Sequence, residues 1–293
     1  MATEHDSRDR LAAERADMPL VRLLEAARER GREVARPPST TTPPAPRAVT
    51  TIRVGESPHS VAVSPDGTRL HVTDFRADSV VVVDLSREEV VDTITVDEGP
   101  YGVAASPDGT RLHVTVPNAR LLLKIELPDD VSGSHFGQAP YGVAACADGQ
   151  RVCLALALED RVWVTDQFAM GDFATVPDLD FPVGVAVSPD QKYLYVTHYF
   201  SGKVSVVDLD RTAVVSTIPV ATGPYGVAVT HDGARLYVAH FPYDTVSVID
   251  IARGEVVDTI PVADGPRGVA VSPDGSRLYV TNFFAGTVSV ISL

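Results

Sequence analysis

Apolar residues along this chain come in short runs separated by polar turns, and the same order of runs recurs. A stretch such as Gly-Val-Ala-Val is followed by Ser-Pro-Asp-Gly, then Arg-Leu-Tyr-Val-Thr, then Thr-Val-Ser-Val-Ile-Asp, and last Val-Val-Asp-Thr-Ile-Pro-Val. Period-two patterning with β-branched residues at most positions predicts four short strands per unit. The Pro-Asp-Gly cluster predicts a tight hairpin between the first two strands, with Pro fixing φ and Gly accepting a positive φ. The first strand is apolar at both parities, as in a sheet covered on both faces.

Six such units begin at Pro58, Pro100, Pro140, Pro182, Pro224 and Pro266, spaced 42, 40, 42, 42 and 42 residues apart. Four strands at that period predict an all-β fold, a six-bladed β-propeller of four-stranded blades, and exclude a helical solenoid. The sixth unit reaches Leu293 after three strands. Its missing partner is found upstream, where Ala48-Val49-Thr50-Thr51-Ile52-Arg53-Val54 matches Val257-Asp258-Thr259-Ile260-Pro261-Val262. The N-terminal strand is therefore expected to close the last blade, leaving no open edge between the ends of the ring.

Three segments follow from this reading. Residues 1–36 are expected to form a short helical N-terminal extension: Asp17-Met18-Pro19 supplies an N-cap with Pro near the first helical position, and Leu20, Leu23, Leu24 and Ala27 share one stripe. Such a helix suits loose docking on the ring, self-association or contact with a partner. Residues 37–47 read as a Pro/Thr-rich linker and residues 48–293 as the propeller.

Charge then narrows the partners. The formal charge is −14, and residues 1–47 hold nine basic and eight acidic side chains, so 16 basic face 31 acidic side chains in the remainder. A surface of that sign repels phosphate backbones and anionic headgroups, which argues against nucleic acid and membrane partners. No apolar run approaches the length of a membrane helix, and the N-terminus lacks the basic start and apolar stretch of a signal peptide, so a cytoplasmic location is expected. Cys146 and Cys153 fall in one hairpin, with Cys153 facing Ala144 and diagonal to Cys146, a geometry that predicts free buried thiols.

The strings RLYVTNFFAGTVSVIS, KYLYVTHYFSGKVSVVD and RLYVAHFPYDTVSVID resemble the YVTN family of β-propeller repeat proteins over about residues 48–293. That resemblance implies kinship with surface-layer propellers, lactonase-like propellers and the propeller domains of some redox enzymes and lyases. It fixes architecture more firmly than chemistry.

Two rings of positions deviate from the repeat where ligands would bind. The residue after each unit-starting proline is His59, Tyr101, Tyr141, Val183, Tyr225 or Arg267, expected to crowd the mouth of the central channel. Three phenols, an imidazole and a guanidinium suit an anionic or carbonyl-bearing small molecule, with Arg267 as a bidentate clamp. Closure of the channel over ordered water by the same tyrosines is the competing structural reading. The residue ending each second strand is Asp74, Val116, Leu156, His198, His240 or Asn282, and its four polar members sit in blades that also carry Phe75, Tyr199, Phe200, Phe241, Tyr243, Phe283 and Phe284. An aromatic sector of that kind suits an apolar or ring-bearing ligand.

His198, His240 and Asp74 are chemically suitable ligands for zinc or another divalent ion, although no cofactor motif is evident. No nucleophile, Walker or paired-cysteine motif occurs, Ser60 beside His59 points to the opposite face of its strand, and the recurring turn aspartates are structural. Two functions therefore stay open. One is a small-molecule-binding propeller acting as a lyase, cyclase or hydrolase, with His59, Tyr101, Tyr225 and Arg267 supplying acid, base and anion stabilisation. The other is a non-catalytic scaffold that meets a protein through the propeller face or the N-terminal helix.

Overall fold

The structure is a computed structural model that describes residues 49–96, 99–127, 130–135, 138–166 and 174–293. The helix and linker expected over residues 1–47 lie outside the described residues. Six separate four-stranded antiparallel sheets are present, matching the six units. In the first blade the order from the axis outward is β2 (Pro58–Val63), β3 (Arg69–Asp74), β4 (Ser79–Asp84) and β5 (Glu89–Thr95). The other blades repeat this order, and the sixth is completed by β1 (Val49–Arg53), which pairs with the strand Thr287–Ser292 in the register Val49↔Ile291 to Arg53↔Thr287. The expected closure is thus realised: Ile52 and Val54 of the N-terminal segment are buried in the same core as Val288 and Val290 of the last unit.

Hydrophobic packing follows the two-sided pattern of the first three strands. Six clusters of buried aliphatic and aromatic residues lie one at each interface between neighbouring blades, including Cys146 and Cys153 between the third and fourth. Both cysteines are free and buried, and Ala144 faces Cys153 as the hairpin register predicts. Outer strands are exposed along most of their length, including the adjacent pairs Val90–Val91 and Val214–Val215 at the register shift against the third strand. Among the described residues no helix is long and apolar enough to cross a membrane.

A threonine that recurs in the second strand of four blades holds successive blades together. Thr73, Thr115, Thr197 and Thr281 each accept a hydrogen bond from the amide of Ser60, Gly102, Gly184 or Gly268 in their own blade, at 2.7–2.9 Å. Each also donates to the carbonyl of the first-ring residue of the next blade, namely Tyr101, Tyr141, Tyr225 and His59. The glycines are required by that closeness, since a Cβ on Gly184 or Gly226 would run into the carbonyl of Tyr225 or Arg267. Blades three and five carry Ala155 and Ala239 instead, both fully buried, and so cannot make this bond to Val183 and Arg267.

A restored hydroxyl should therefore stabilise the ring. Ala239→Thr is expected to raise stability by about 1 kcal/mol, the usual net worth of one or two buried hydrogen bonds. A denaturant titration would show it as a higher midpoint at unchanged slope, whereas a lower midpoint would mean that the added methyl overpacks the site.

Candidate functional site

The six first-ring residues converge at one end of a central cavity of 280 Å3, lined along its length by the first strands of all blades. They do not form an open mouth. His59, Tyr101, Tyr141, Val183, Tyr225 and Arg267 are at most 6% exposed. The reason is a lid of aromatic side chains from neighbouring loops: Phe181, Tyr199 and Phe241 join the ring tyrosines in one buried cluster, with Phe75 and Phe200 packed against it. The far end of the cavity is the more open one, where Ala104, Ala105, Ala144 and Ala145 are partly exposed.

Within this closed end the aromatic groups pack at tilted and edge-to-face angles. His59 lies 3.8 Å from the Tyr101 ring and 5.3 Å from that of Tyr225, and Tyr101 is 5.3 Å from Tyr141. His59 Nε2 shares a hydrogen bond of 2.9 Å with the Tyr225 hydroxyl. Tyr101 and Tyr225 perturb each other's titration, yet the Tyr101 hydroxyl has no partner of hydrogen-bonding geometry.

Arg267 is the outlier. Its guanidinium carbon sits 3.5 Å from the centre of the Phe283 ring, 4.7 Å from Phe241 and 5.5 Å from Tyr225, so cation–π contacts hold it. It is 1% exposed, and none of its three side-chain nitrogens has a hydrogen-bond partner. No carboxylate among the described residues pairs with it.

Burial and this cation set the charge of the site. Desolvation, followed by the field of Arg267, holds the His59 imidazole well below its usual pKa, while the Tyr101 main chain acts weakly the other way. Desolvation likewise raises the phenols of Tyr101, Tyr225 and Tyr141. At neutral pH the ring therefore presents one fixed positive charge, a neutral imidazole and three neutral phenols.

The second ring serves a different purpose. Asp74 accepts hydrogen bonds from the amides of Glu56 at 2.8 Å and Ser57 at 3.1 Å, and a Cβ on Gly55 would collide with its carboxylate. His198 Nδ1 donates to the Asp180 carbonyl at 3.0 Å, leaving Nε2 to accept from Ser205 Oγ at 2.7 Å. His240 Nε2 is 2.9 Å from Ser247 Oγ. The Asn282 amide, oriented with its oxygen accepting from Thr287 Oγ1 and Ser289 Oγ, donates to the Ala263 carbonyl at 3.3 Å. Asp74, His198 and Asn282 thus tie the loop entering their blade to its second strand, and His198, His240 and Asn282 tie the second strand to the third. In blades two and three Leu123 and Trp163 stand where that serine would be, seven residues after Val116 and Leu156; blade one has Val81 there, and its Asp74 bonds to the entering loop instead. Among the described residues no three His, Cys, Asp or Glu side chains come together as a metal site.

The aromatic residues divide in the same way. Phe241 and Phe283 touch Arg267, and Phe75 packs 5.5 Å from Tyr101 and 6.4 Å from His59. Tyr199 lies 6.1 Å from Tyr225 and belongs to the lid. Sequence reasoning overlooked Phe181, although a signal was available: it precedes the unit-starting proline, where the other blades have Ser57, Gly99, Ala139, Gly223 and Gly265. Glu159 was also overlooked. Burial raises its carboxyl pKa, one of its oxygens has no partner, and its charge reaches Tyr141.

Five buried histidines make acid sensitivity a direct consequence of this architecture. Desolvation lowers the pKa of His71, His113, His198 and His240 to about 4, and holds that of His59 well below its usual value. The unfolded chain, with imidazoles near 6.5, binds more protons than the native ring between those values. Stability is therefore expected to be complete above about pH 6.5 and to fall by several kcal/mol as pH drops toward 4. Urea titrations at pH 7.5 and 5 would measure it, and equal midpoints would contradict the neutral assignments. The turn carboxylates, such as Asp108 and Asp274 held near 2 by hydrogen bonds from Ser106 and Ser272, act only in a lower range.

A family model described as lactonase, seven-bladed β-propeller, matches residues 184–293, which spans blades four to six. Six blades are present here where that description names seven. No curated protein matches the sequence. Among solved structures, hydrazine synthase of Kuenenia stuttgartiensis aligns with a TM-score of 0.67 at 20% identity, covering 82% of this chain and 96% of its own. Streptogramin B lyase aligns with a TM-score of 0.64 at 12% identity, covering 84% and 98%. The Cps50 (Swd1) β-propeller domain of Myceliophteria thermophila aligns with a TM-score of 0.61 at 14% identity, covering 85% and 100%. At these identities the structural likeness is one of fold. Similarity to the lactonase family is thus confined to blades four to six, and the solved structures share the propeller fold.

Proposed function

We propose that this lactonase-like β-propeller binds a small anionic molecule at the closed end of its central channel. The observation that carries the reading is Arg267: a permanently charged group, buried, with three nitrogens unpartnered and no counter-ion among the described residues. A buried charge left unpaired is costly, and an anion seated against the guanidinium edge would relieve that cost.

A catalytic use of the same site is supported by the neutral His59 imidazole near Arg267 and in hydrogen-bond contact with Tyr225. In the opening of a lactone or an elimination next to a carbonyl, negative charge develops on oxygen. Arg267 and the Tyr101 hydroxyl would stabilise that oxygen while His59 takes up or delivers the proton. The family matched over residues 184–293 and the lyase among the structural neighbours favour this chemistry over a scaffold role.

Thermal unfolding with and without sodium salts of small organic acids tests the binding reading. A rise in melting temperature that disappears in Arg267→Met is expected. An identical rise in both proteins would place the anion elsewhere.

A further inference from the structure

We infer that the ligand is a planar monocarboxylate carrying a small aromatic or unsaturated body. The inference rests on the anion-site reading above and adds charge, shape and size to it.

Charge comes first. The closed end offers one cation, Arg267, beside a neutral imidazole and neutral phenols, so it compensates one negative charge. A partly buried carboxyl, Glu159, already acts on Tyr141 from the blade-three side. A phosphate group, with between one and two negative charges near neutral pH, would bring charge that nothing here matches.

Shape follows from how Arg267 is held. Phe283 covers a face of the guanidinium at 3.5 Å and Phe241 lies 4.7 Å away, so a ligand meets the N–H edge in the guanidinium plane. Two parallel N–H donors match the two oxygens of a carboxylate. The Tyr101 hydroxyl, which interacts with the Tyr225 phenol without a well-formed hydrogen bond, can donate to the same oxygens.

Size and surroundings decide the body of the ligand. The cavity has a volume of 280 Å3, just under the usual range of ligand sites, and the aromatic residues His59, Tyr101, Tyr141 and Tyr225 are among those that line it beside Arg267. Edges and faces of that kind accept a flat apolar group and offer it no further charged partner.

The test uses the full chain and isothermal titration with sodium benzoate, sodium acetate, inorganic phosphate and benzyl alcohol. Benzoate is expected to bind at least tenfold more tightly than acetate, and phosphate more weakly than acetate. Arg267→Lys, which keeps the charge but loses the planar fork, is expected to weaken benzoate at least tenfold. Tyr101→Phe should weaken it a few-fold. Phosphate or acetate binding as tightly as benzoate, with dependence on Arg267, would overturn the carboxylate class and leave the anion site standing. Benzyl alcohol matching benzoate in both wild type and Arg267→Lys, or no binding by any probe, would overturn both.

Discussion

Deleting residues 48–54 should lower the stability of the whole ring by an amount comparable to its total stability, and leave no separate residual transition. The deleted strand contributes the register Val49↔Ile291 to Arg53↔Thr287 and the hydrogen bond from Val54 N to Gly286 O at 3.1 Å. It also buries Ile52 and Val54 at the interface between the last and first blades. Each such aliphatic side chain is worth about 1.5–3 kcal/mol, against a typical total of about 5–15 kcal/mol for a folded domain. The strand matters more than its area suggests, because it joins the two ends of the chain. Without it the strand Thr287–Ser292 becomes an open edge, free to pair with another copy. Loss of the cooperative melt, or a shift to larger species in solution, is the expected result. Ile52→Ala, which keeps the strand, should cost only about 2–5 kcal/mol. A deletion variant that melts at the wild-type temperature would show that the ring is held shut by other means.

The architecture was legible because every blade repeats the same physics. Fixed spacing gave the number of sheets, Pro-Asp-Gly gave the hairpin, and the truncated sixth unit pointed to its complement at Ala48–Val54. The ring of His59, Tyr101, Tyr225 and Arg267 was legible for the converse reason, as a departure from repetition at a position that faces the axis. What repetition could not reveal is contact between loops of different blades. The polar second ring looked like a pocket, yet His198 and Asn282 bond to Ser205 and Ser289 seven residues on, a pairing visible only once the third strand is in register. The lid over the site was missed because Phe181 belongs to no repeated motif and reaches the ring from the linker between blades three and four. Whether a group is unpartnered is a property of three-dimensional neighbours, so the isolation of Arg267 has no sequence signature at all.

That isolation leads to the opposite kind of mutational outcome, a gain of stability from removing a conspicuous site residue. Arg267→Met keeps a long unbranched side chain between Phe283 and Phe241 and removes a charge that has no hydrogen-bond partner. The wild-type cation retains cation–π attraction of up to about 2 kcal/mol, set against a desolvation penalty of several kcal/mol. The balance favours the variant by about 1–3 kcal/mol in a buffer free of organic anions, a rise of several degrees in melting temperature for a ring of this size. His59 supplies an independent readout. Its imidazole is held low partly by the field of Arg267, so its titration should move upward in the variant, though burial keeps it below the ordinary value. With a carboxylate present at a hundred times its Kd the order should narrow or reverse, because the ligand stabilises only the wild type, by about 2.7 kcal/mol. A less stable Arg267→Met protein in anion-free buffer would mean that the aromatic cage alone compensates the guanidinium, and Arg267 would then be a structural plug at the end of the channel.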